Sequence, residues 1–240
     1  HLAAITDAAN SFANADEVES NNFSATKRIA EACLMTNTRL IHLSSTSVYG
    51  SQKKLVNEDC PEFELLPQSP YAETKLKEEK LLQEMHREKG LNFTTCRFGT
   101  IFGVSLGIRF HTAVNKFCWQ AVLGQPLSVW KDAYHQFRPY LDLNDACQAI
   151  LHLIRNDLFE GRIYNVLSAN STVSDIVEII RATIPDLKIT FQTHKIMNQL
   201  SYEVCNKRFS ATGFKVTGSL EKSISETIEL LGRNLNCPTL

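Results

Sequence analysis

No apolar run in this chain approaches the ~20 residues that a membrane-crossing helix needs, and no basic-then-apolar leader opens it. A spanning role is therefore not expected, and the chain reads as a soluble, cytoplasmic protein. Charge of one sign is not in excess either. The 25 Lys and Arg against 26 Asp and Glu give a formal net charge of -1, which leaves no global field for a nucleic-acid backbone or an anionic membrane. By exclusion the expected partner is a small molecule, with no nucleic acid and no membrane. Paired cysteines are missing too. The seven cysteines, from Cys33 to Cys237, are odd in number, with no C-x-x-C pair and no histidine at a zinc spacing. Free thiols in a reducing cytosol are expected. His42, His86, His111, His135, His152 and His194 show no metal-ligand grouping, so no metal is assigned. Internal repeats and low-complexity tracts are absent as well.

What is present is an ordinary globular composition, 43% hydrophobic over 240 residues, enough to bury a real core. Helical spacing of apolar residues runs from about Ala15 to Cys33, and Arg39-Leu40-Ile41-His42-Leu43 is a short apolar run typical of a buried parallel strand. Pro70 suits the first turn of a helix that Gly90 ends, and Asn92 to Phe98 returns as a strand. A loop from Gly103 to Arg109, a helix from His111 to Leu123, strands at Leu127–Trp130 and Arg138–Leu143, and a helix to about Arg155 follow. Arg162–Val166 reads as a strand. Thr172-Val173-Ser174-Asp175 resembles a capping box before a helix, a strand lies near Lys188–Gln192, and a last helix spans about Ser219–Leu231. The alternation favours a parallel sheet covered on both faces.

The chemistry concentrates in two short runs, Ser44-Ser45-Thr46-Ser47-Val48-Tyr49-Gly50 and Ser69-Pro70-Tyr71-Ala72-Glu73-Thr74-Lys75. Tyr71 and Lys75, four apart at a helix start, share one face. An ammonium held beside a phenol favours the phenolate and pulls a pKa of about 10 toward neutrality, where the group trades protons with a substrate hydroxyl. That pattern points to carbonyl/alcohol redox chemistry. Tyr49 and Lys53 have the same spacing, but Gly50 and Ser51 make their segment a turn, so the pair is read as a decoy.

Six runs stand in family order: His1-Leu2-Ala3-Ala4, the Ser44–Gly50 run, the Ser69–Lys75 run, Arg97-Phe98-Gly99-Thr100-Ile101-Phe102-Gly103, Arg138-Pro139-Tyr140-Leu141-Asp142-Leu143-Asn144-Asp145, and Tyr164-Asn165-Val166. The chain resembles the extended short-chain dehydrogenase/reductases, in their NAD-dependent epimerase/dehydratase branch. The resemblance implies an α/β doubly wound, Rossmann-like parallel sheet, without its N-terminal strands, and a smaller C-terminal substrate lobe. Residues 1–103 and 138–166 would be the remainder of the NAD-binding domain, and 104–137 and 167–240 the lobe. Tyr71 is then the acid/base, Lys75 lowers its pKa and binds the nicotinamide ribose, and Ser45 holds the reacting oxygen. Ala3, Ala4 and Asn21 map to positions along the dinucleotide, Phe98 and Ile101 to positions beside the nicotinamide. Arg138 corresponds to an arginine that grips the diphosphate, Trp130 to an aromatic near the base, and Asn115 with Lys116 to residues within reach of the phosphates. Buried strands and surface ion pairs use the same residue types, so each of these also has an ordinary structural reading.

Two departures shape the expected reaction. Thr100 replaces an asparagine common in sugar-nucleotide enzymes, and Thr46 and Ser47 stand where 4,6-dehydratases carry Asp and Glu, which disfavours dehydration. The expectation is an epimerase or oxidoreductase acting on a nucleotide sugar through a keto intermediate, with NAD as cofactor and NADP not distinguished, assembled as a homodimer. The alternatives are a reductase of a non-nucleotide carbonyl compound and an inactive scaffold member. The glycine-rich phosphate turn of dinucleotide-binding sheets is absent, and Gly99, Gly103 and Gly107 have the wrong spacing for it. The sequence is accordingly expected to be a fragment of a longer enzyme, aggregation-prone or inactive when produced alone.

Overall fold

Ser69 stands where a helix needs a side-chain acceptor, and its Oγ takes the Ala72 N–H at 3.2 Å. Pro70 follows in the first turn, and Gly90 closes the helix in the left-handed region at φ 73°. These signals set α2 (Pro70–Lys89), the helix that carries Tyr71 and Lys75. The computed structural model describes residues 1–8, 10–50, 55–193 and 201–235. Lys53, His194 and Cys237, weighed above, lie outside the described residues.

The chain alternates α1 (Ala15–Thr36), β1 (Leu40–Ser45), a two-residue β2 (Leu55–Val56), α2, β3 (Phe93–Phe98) and β4 (Thr100–Phe102). Next come α3 (Ala113–Val122), β5 (Leu127–Trp130), β6 (Phe137–Asp142), α4 (Leu143–Arg155), β7 (Glu160–Val166) and β8 (Ala169–Thr172). The described chain ends with α5 (Val173–Thr183), β9 (Ile189–Gln192), β10 (Glu203–Val204), α6 (Lys207–Ser210) and α7 (Leu220–Leu235). Strands β1, β3 and β7 form a parallel layer in that order, with Ser45 opposite Phe98 and Phe98 opposite Val166. The expected parallel sheet is this layer; in a second three-stranded sheet β4 and β6 pair in parallel and β8 joins β6 antiparallel. The short β2, β4, β8 and β10 are too brief for a periodic signal in sequence. His1–Ala4 is not a strand. It lies beside β1 through one hydrogen bond, the His1 amino group to Ile41 O at 2.9 Å, without a ladder.

Helices cover both faces of the three-stranded layer. On one face, Ala146, Ala149 and Leu153 of α4 pack with Cys96, Phe98, Tyr164 and Val166. On the other, Ala30 and Cys33 of α1 and Leu82 and Met85 of α2 pack with Leu40 and Phe93 at the start of the strands. A separate apolar core joins α3, α5 and α7 through Phe117, Ile176, Ile180 and Ile224, with Phe102, Leu127 and Tyr140 from the strands. The capping box of α5 is formed: Thr172 Oγ1 accepts the Asp175 N–H at 3.1 Å, and Asp175 Oδ2 accepts the Thr172 N–H at 2.8 Å. The buried Asp145 of α4 holds the segment leading into α7, accepting from Thr217 N, Gly218 N and Ser168 Oγ.

Candidate active site

In an open α/β sheet, ligands bind outside the carboxyl ends of the strands. A cleft of about 610 Å³ lies at that edge, where β1 and β3 end at Ser45 and Phe98. Ser45, Tyr71 and Lys75 line it together with Phe98, Thr100 and Ile101, and Ala3, Ala4 and Asn115 complete other parts of its wall.

Ser45 is set as a donor. Its Oγ accepts the Ser47 N–H at 3.1 Å and the Ser47 hydroxyl at 2.8 Å. With both acceptor positions filled, its own O–H is left for a ligand oxygen. Tyr71 starts α2, its backbone N–H given to Ser11 Oγ at 3.3 Å. The Lys75 ammonium lies 6.0 Å from the centre of the Tyr71 ring. The expected lowering of the Tyr71 pKa is corrected here. Tyr71 is half-buried on the cleft wall, where desolvation first and then the negative charge of Glu78 hold the phenol above its ordinary value.

The smaller, electrostatic contribution comes from Glu78, further along the helix. Lys75 Nζ donates to Glu78 Oε2 at 2.9 Å, and the same oxygen meets His42 Nε2 at 2.8 Å. His42 Nδ1 faces Thr95 Oγ1 at 3.3 Å. Burial holds His42 below its ordinary pKa despite the Glu78 hydrogen bond, so the neutral ring donates from Nε2 and accepts from Thr95. Burial pushes Glu78 up, but the His42 bond and the Lys75 charge outweigh it and hold the carboxyl below its usual range. Beside this chain, Glu79 binds Arg97 through Nε at 3.0 Å and Nη2 at 2.7 Å, and Ser44 Oγ donates to the same carboxylate. Arg97 also lies 4.8 Å from the ring centre of Tyr49. Tyr49 is wholly buried and gives its hydroxyl to Asn165, which fits a core role and not a second acid/base.

Several sequence assignments do not reach this cleft. Trp130 and Arg138 are not on its wall; the Arg138 guanidinium binds Phe137 O and Gln136 Oε1 and lies over Tyr202. Asn21 is exposed, and its Nδ2 donates to Asn22. The next residue, Asn22, is the buried one and clamps the Ile5 backbone through two hydrogen bonds at 2.8 and 2.9 Å, steadying the segment that lines the cleft. The adjacent pair Asn21-Asn22 offered no local signal to choose between them. Asn115 lines the cleft but spends both polar ends on the loop before it, at Gly103 N and Arg109 O. Glu78 and His42 were not singled out in sequence, because each resembles a solvated helix residue or a strand residue without a partner. Arg109, which donates to Thr6 Oγ1, and His111 also line the cleft. Among the described residues, no three His, Cys, Asp or Glu side chains are grouped to hold a metal ion.

A parallel layer covered by helices, with serine, tyrosine and lysine at its carboxyl edge, defines a Rossmann-like protein of the short-chain dehydrogenase/reductase class. Residues 1–166 match the model of the NAD dependent epimerase/dehydratase family, and the chain belongs to that family. Over 98% of its length it is 28% identical to a trifunctional UDP-glucose 4,6-dehydratase/UDP-4-keto-6-deoxy-D-glucose 3,5-epimerase/UDP-4-keto-L-rhamnose-reductase of Arabidopsis thaliana, of which it covers 35%. The chain thus spans about a third of the length of the plant relatives it matches, 35% and 36% in two of them. Two solved structures share the fold. One is a dTDP-glucose 4,6-dehydratase from Streptomyces venezuelae with NAD and TYD bound, TM-score 0.86 at 20% identity, covering 98% of this chain and 72% of that one. The other is a UDP-glucuronic acid 4-epimerase from Bacillus cereus in complex with NAD, TM-score 0.82 at 23% identity, covering 97% and 71%.

Proposed function

We propose that the chain carries the catalytic part of an NAD-dependent enzyme that epimerises a nucleotide sugar through a keto intermediate. The observation that carries this reading is the meeting of Ser45, Tyr71 and Lys75 on the wall of one cleft at the carboxyl edge of the parallel layer. The matching plant relative, named for UDP-sugar reactions, supports the substrate class.

The residues present fit the nicotinamide-ribose half of the cofactor. Lys75 lines the cleft with one of its three ammonium donors on Glu78, leaving two for ribose hydroxyls. Phe98 and Ile101 offer an apolar wall to the ring, and the small side chains of Ala3 and Ala4 allow close approach along the sheet edge. Bound there, NAD supplies a hydride acceptor for the carbinol carbon and, once reduced, a hydride donor to the ketone. The chain's own part is the proton and the oxygen. Ser45 gives its free O–H to the substrate oxygen and fixes it, and Tyr71 exchanges the proton of that oxygen. Residues 104–137 and 167–240 form the substrate lobe in this reading, and the assembled enzyme is a cytoplasmic homodimer.

A second reading, reduction of a carbonyl substrate, is favoured by one specific observation: Thr100, on the cleft wall, stands where sugar-nucleotide enzymes commonly carry an asparagine. The two readings separate by product. Incubation of the full-length protein with NAD and UDP- or dTDP-sugars, followed by proton NMR, is expected to show a new epimer with no net NADH. Net oxidation of added NADH by a keto sugar supports the reductase. No change in any sugar with cofactor demonstrably bound overturns both.

A further inference from the structure

Pro70 has no N–H to give, so the first-turn donors of α2 that need a partner outside the helix are the amides of Tyr71, Ala72 and Glu73. Ser69 serves two of them: its Oγ accepts from Ala72 N at 3.2 Å, and its carbonyl accepts from Glu73 N at 2.9 Å. The partner of the third comes from far away in sequence. Tyr71 N donates at 3.3 Å to Oγ of Ser11, 60 residues earlier. That serine is buried, 1% exposed, in a short 3₁₀ turn at Asn10–Phe12.

The same hydroxyl also holds the cleft wall. Ser11 Oγ donates to Ala8 O at 2.7 Å, and Ser11 N donates to Asp7 O at 3.0 Å. Asp7 and Ala8 line the cleft together with Ala3 and Ala4, and Asn22 of α1 holds both backbone groups of Ile5 in the same stretch. A hydroxyl has one proton and two acceptor positions. Here the proton goes to Ala8, and an acceptor position faces Tyr71, so one buried oxygen joins the wall segment to the root of the Tyr71 side chain.

The helix itself does not require this. Its first amide can be left to water, and Ser69 already supplies the cap. An alanine in place of Ser11 would pack without burying a polar side chain. What the serine adds is a fixed distance between the Tyr71 backbone and the cleft wall, and a misplacement of about 1 Å can lower the rate of a reaction about 100-fold. On the reading of Tyr71 as the group that exchanges the substrate proton, we propose that Ser11 is a positioning residue: its hydroxyl pins the Tyr71 backbone to the 1–8 segment, so that the phenol meets the substrate oxygen in one geometry.

Two measurements on the full-length protein test this. The first is amide hydrogen exchange resolved to single residues, without cofactor or substrate. Wild-type Tyr71 N–H is expected to be protected, although it opens a helix. Ser11→Ala is expected to speed its exchange about fivefold, the size of one lost cap, while Ala72 and Glu73, held by Ser69, change far less. The second is turnover of the nucleotide sugar. In Ser11→Ala, kcat per folded molecule is expected to fall about tenfold to 100-fold with KM near wild type, whereas a residue that only stabilises the fold lowers the folded amount and leaves kcat per folded molecule as it was. Ser11→Thr keeps the hydroxyl and is expected to recover both readouts. Equal losses in Ser11→Thr and Ser11→Ala overturn the proposal, and so does an unchanged kcat per folded molecule in Ser11→Ala. An unprotected Tyr71 amide in the wild type overturns it as well, and this decides even if Ser11→Ala does not fold. Exchange that responds as stated in a protein that turns over no sugar with NAD leaves the hydroxyl lock standing and sinks the functional reading instead.

Discussion

The layer of β1, β3 and β7 has two faces made from the same three strands, and beyond the apolar cluster of Leu40 and Phe93 at the strand starts they are buried by opposite chemistry. Toward α4, the alternate residues Ile41, Leu43, Cys96, Phe98, Tyr164 and Val166 form an apolar contact. Toward α2, the residues between them, His42, Ser44, Thr95 and Arg97, meet Lys75, Glu78 and Glu79 in a hydrogen-bonded, charged interior. Side chains alternate across a strand, so one register places both sets at once. The apolar face stabilises the fold by area removed from water. The charged face gives little net stability, and it lies directly behind Tyr71 and Ser45. Packing and proton chemistry thus divide between the two sides of one sheet.

That contrast can be tested from its strongest consequence downward. Tyr71→Phe, on the charged side, is expected to cut turnover about 10³-fold, roughly 4 kcal/mol of barrier, while urea unfolding stays near wild type. A large loss of stability instead would mean that the phenol is part of the packing. Arg97→Met leaves Glu79 buried without its cation, and about 4 kcal/mol of stability is expected to be lost. Denaturant melts check this, and a neutral result would remove the claim that this face depends on matched charges. Leu153→Ala, wholly buried on the α4 face, is expected to cost about 3 kcal/mol through transfer and cavity terms, with turnover of the remaining folded protein unchanged.

The pH response separates the faces more gently. Burial holds His42 below its ordinary pKa, so the unfolded chain takes up that proton first. The unfolded state then binds more protons as pH falls, and the stability that His42 contributes above about pH 6.5 is lost below it. His42→Gln is expected to flatten this part of the stability curve, measured by thermal melts between about pH 7 and about pH 5. A curve identical to wild type would show that the ring does not titrate as placed. The smallest effect lies away from both faces: Thr172→Ala removes the cap of α5 and is expected to cost about 1 kcal/mol, with no change in the Tyr71 proton step.

Much of this was legible from local pattern. Pro70 and Gly90 bounded α2, Thr172 with Asp175 announced α5, and the runs around Ser45, Tyr71 and Lys75 placed the chemistry. Each is a signal carried within a few residues, where backbone geometry and capping depend on near neighbours alone. Arg138, Trp130 and Asn21 were matched by position along the chain, but reaching a cleft depends on side-chain direction. One residue decided the last case, since Asn22 turns inward to Ile5 and Asn21 faces solvent.

The chain's own order of residues determined the α/β alternation, the helix that carries Tyr71, and the hydroxyl, phenol and amine types that make proton transfer possible. Only tertiary structure decided what state those groups hold. Lys75 was bound to share a helix face with Tyr71, but its charge is claimed by Glu78 because β1 brings His42 against that same carboxylate from a distant part of the chain. A pKa depends on burial and on charges a few ångströms away in space, and neither is written in the spacing of the residues that carry it.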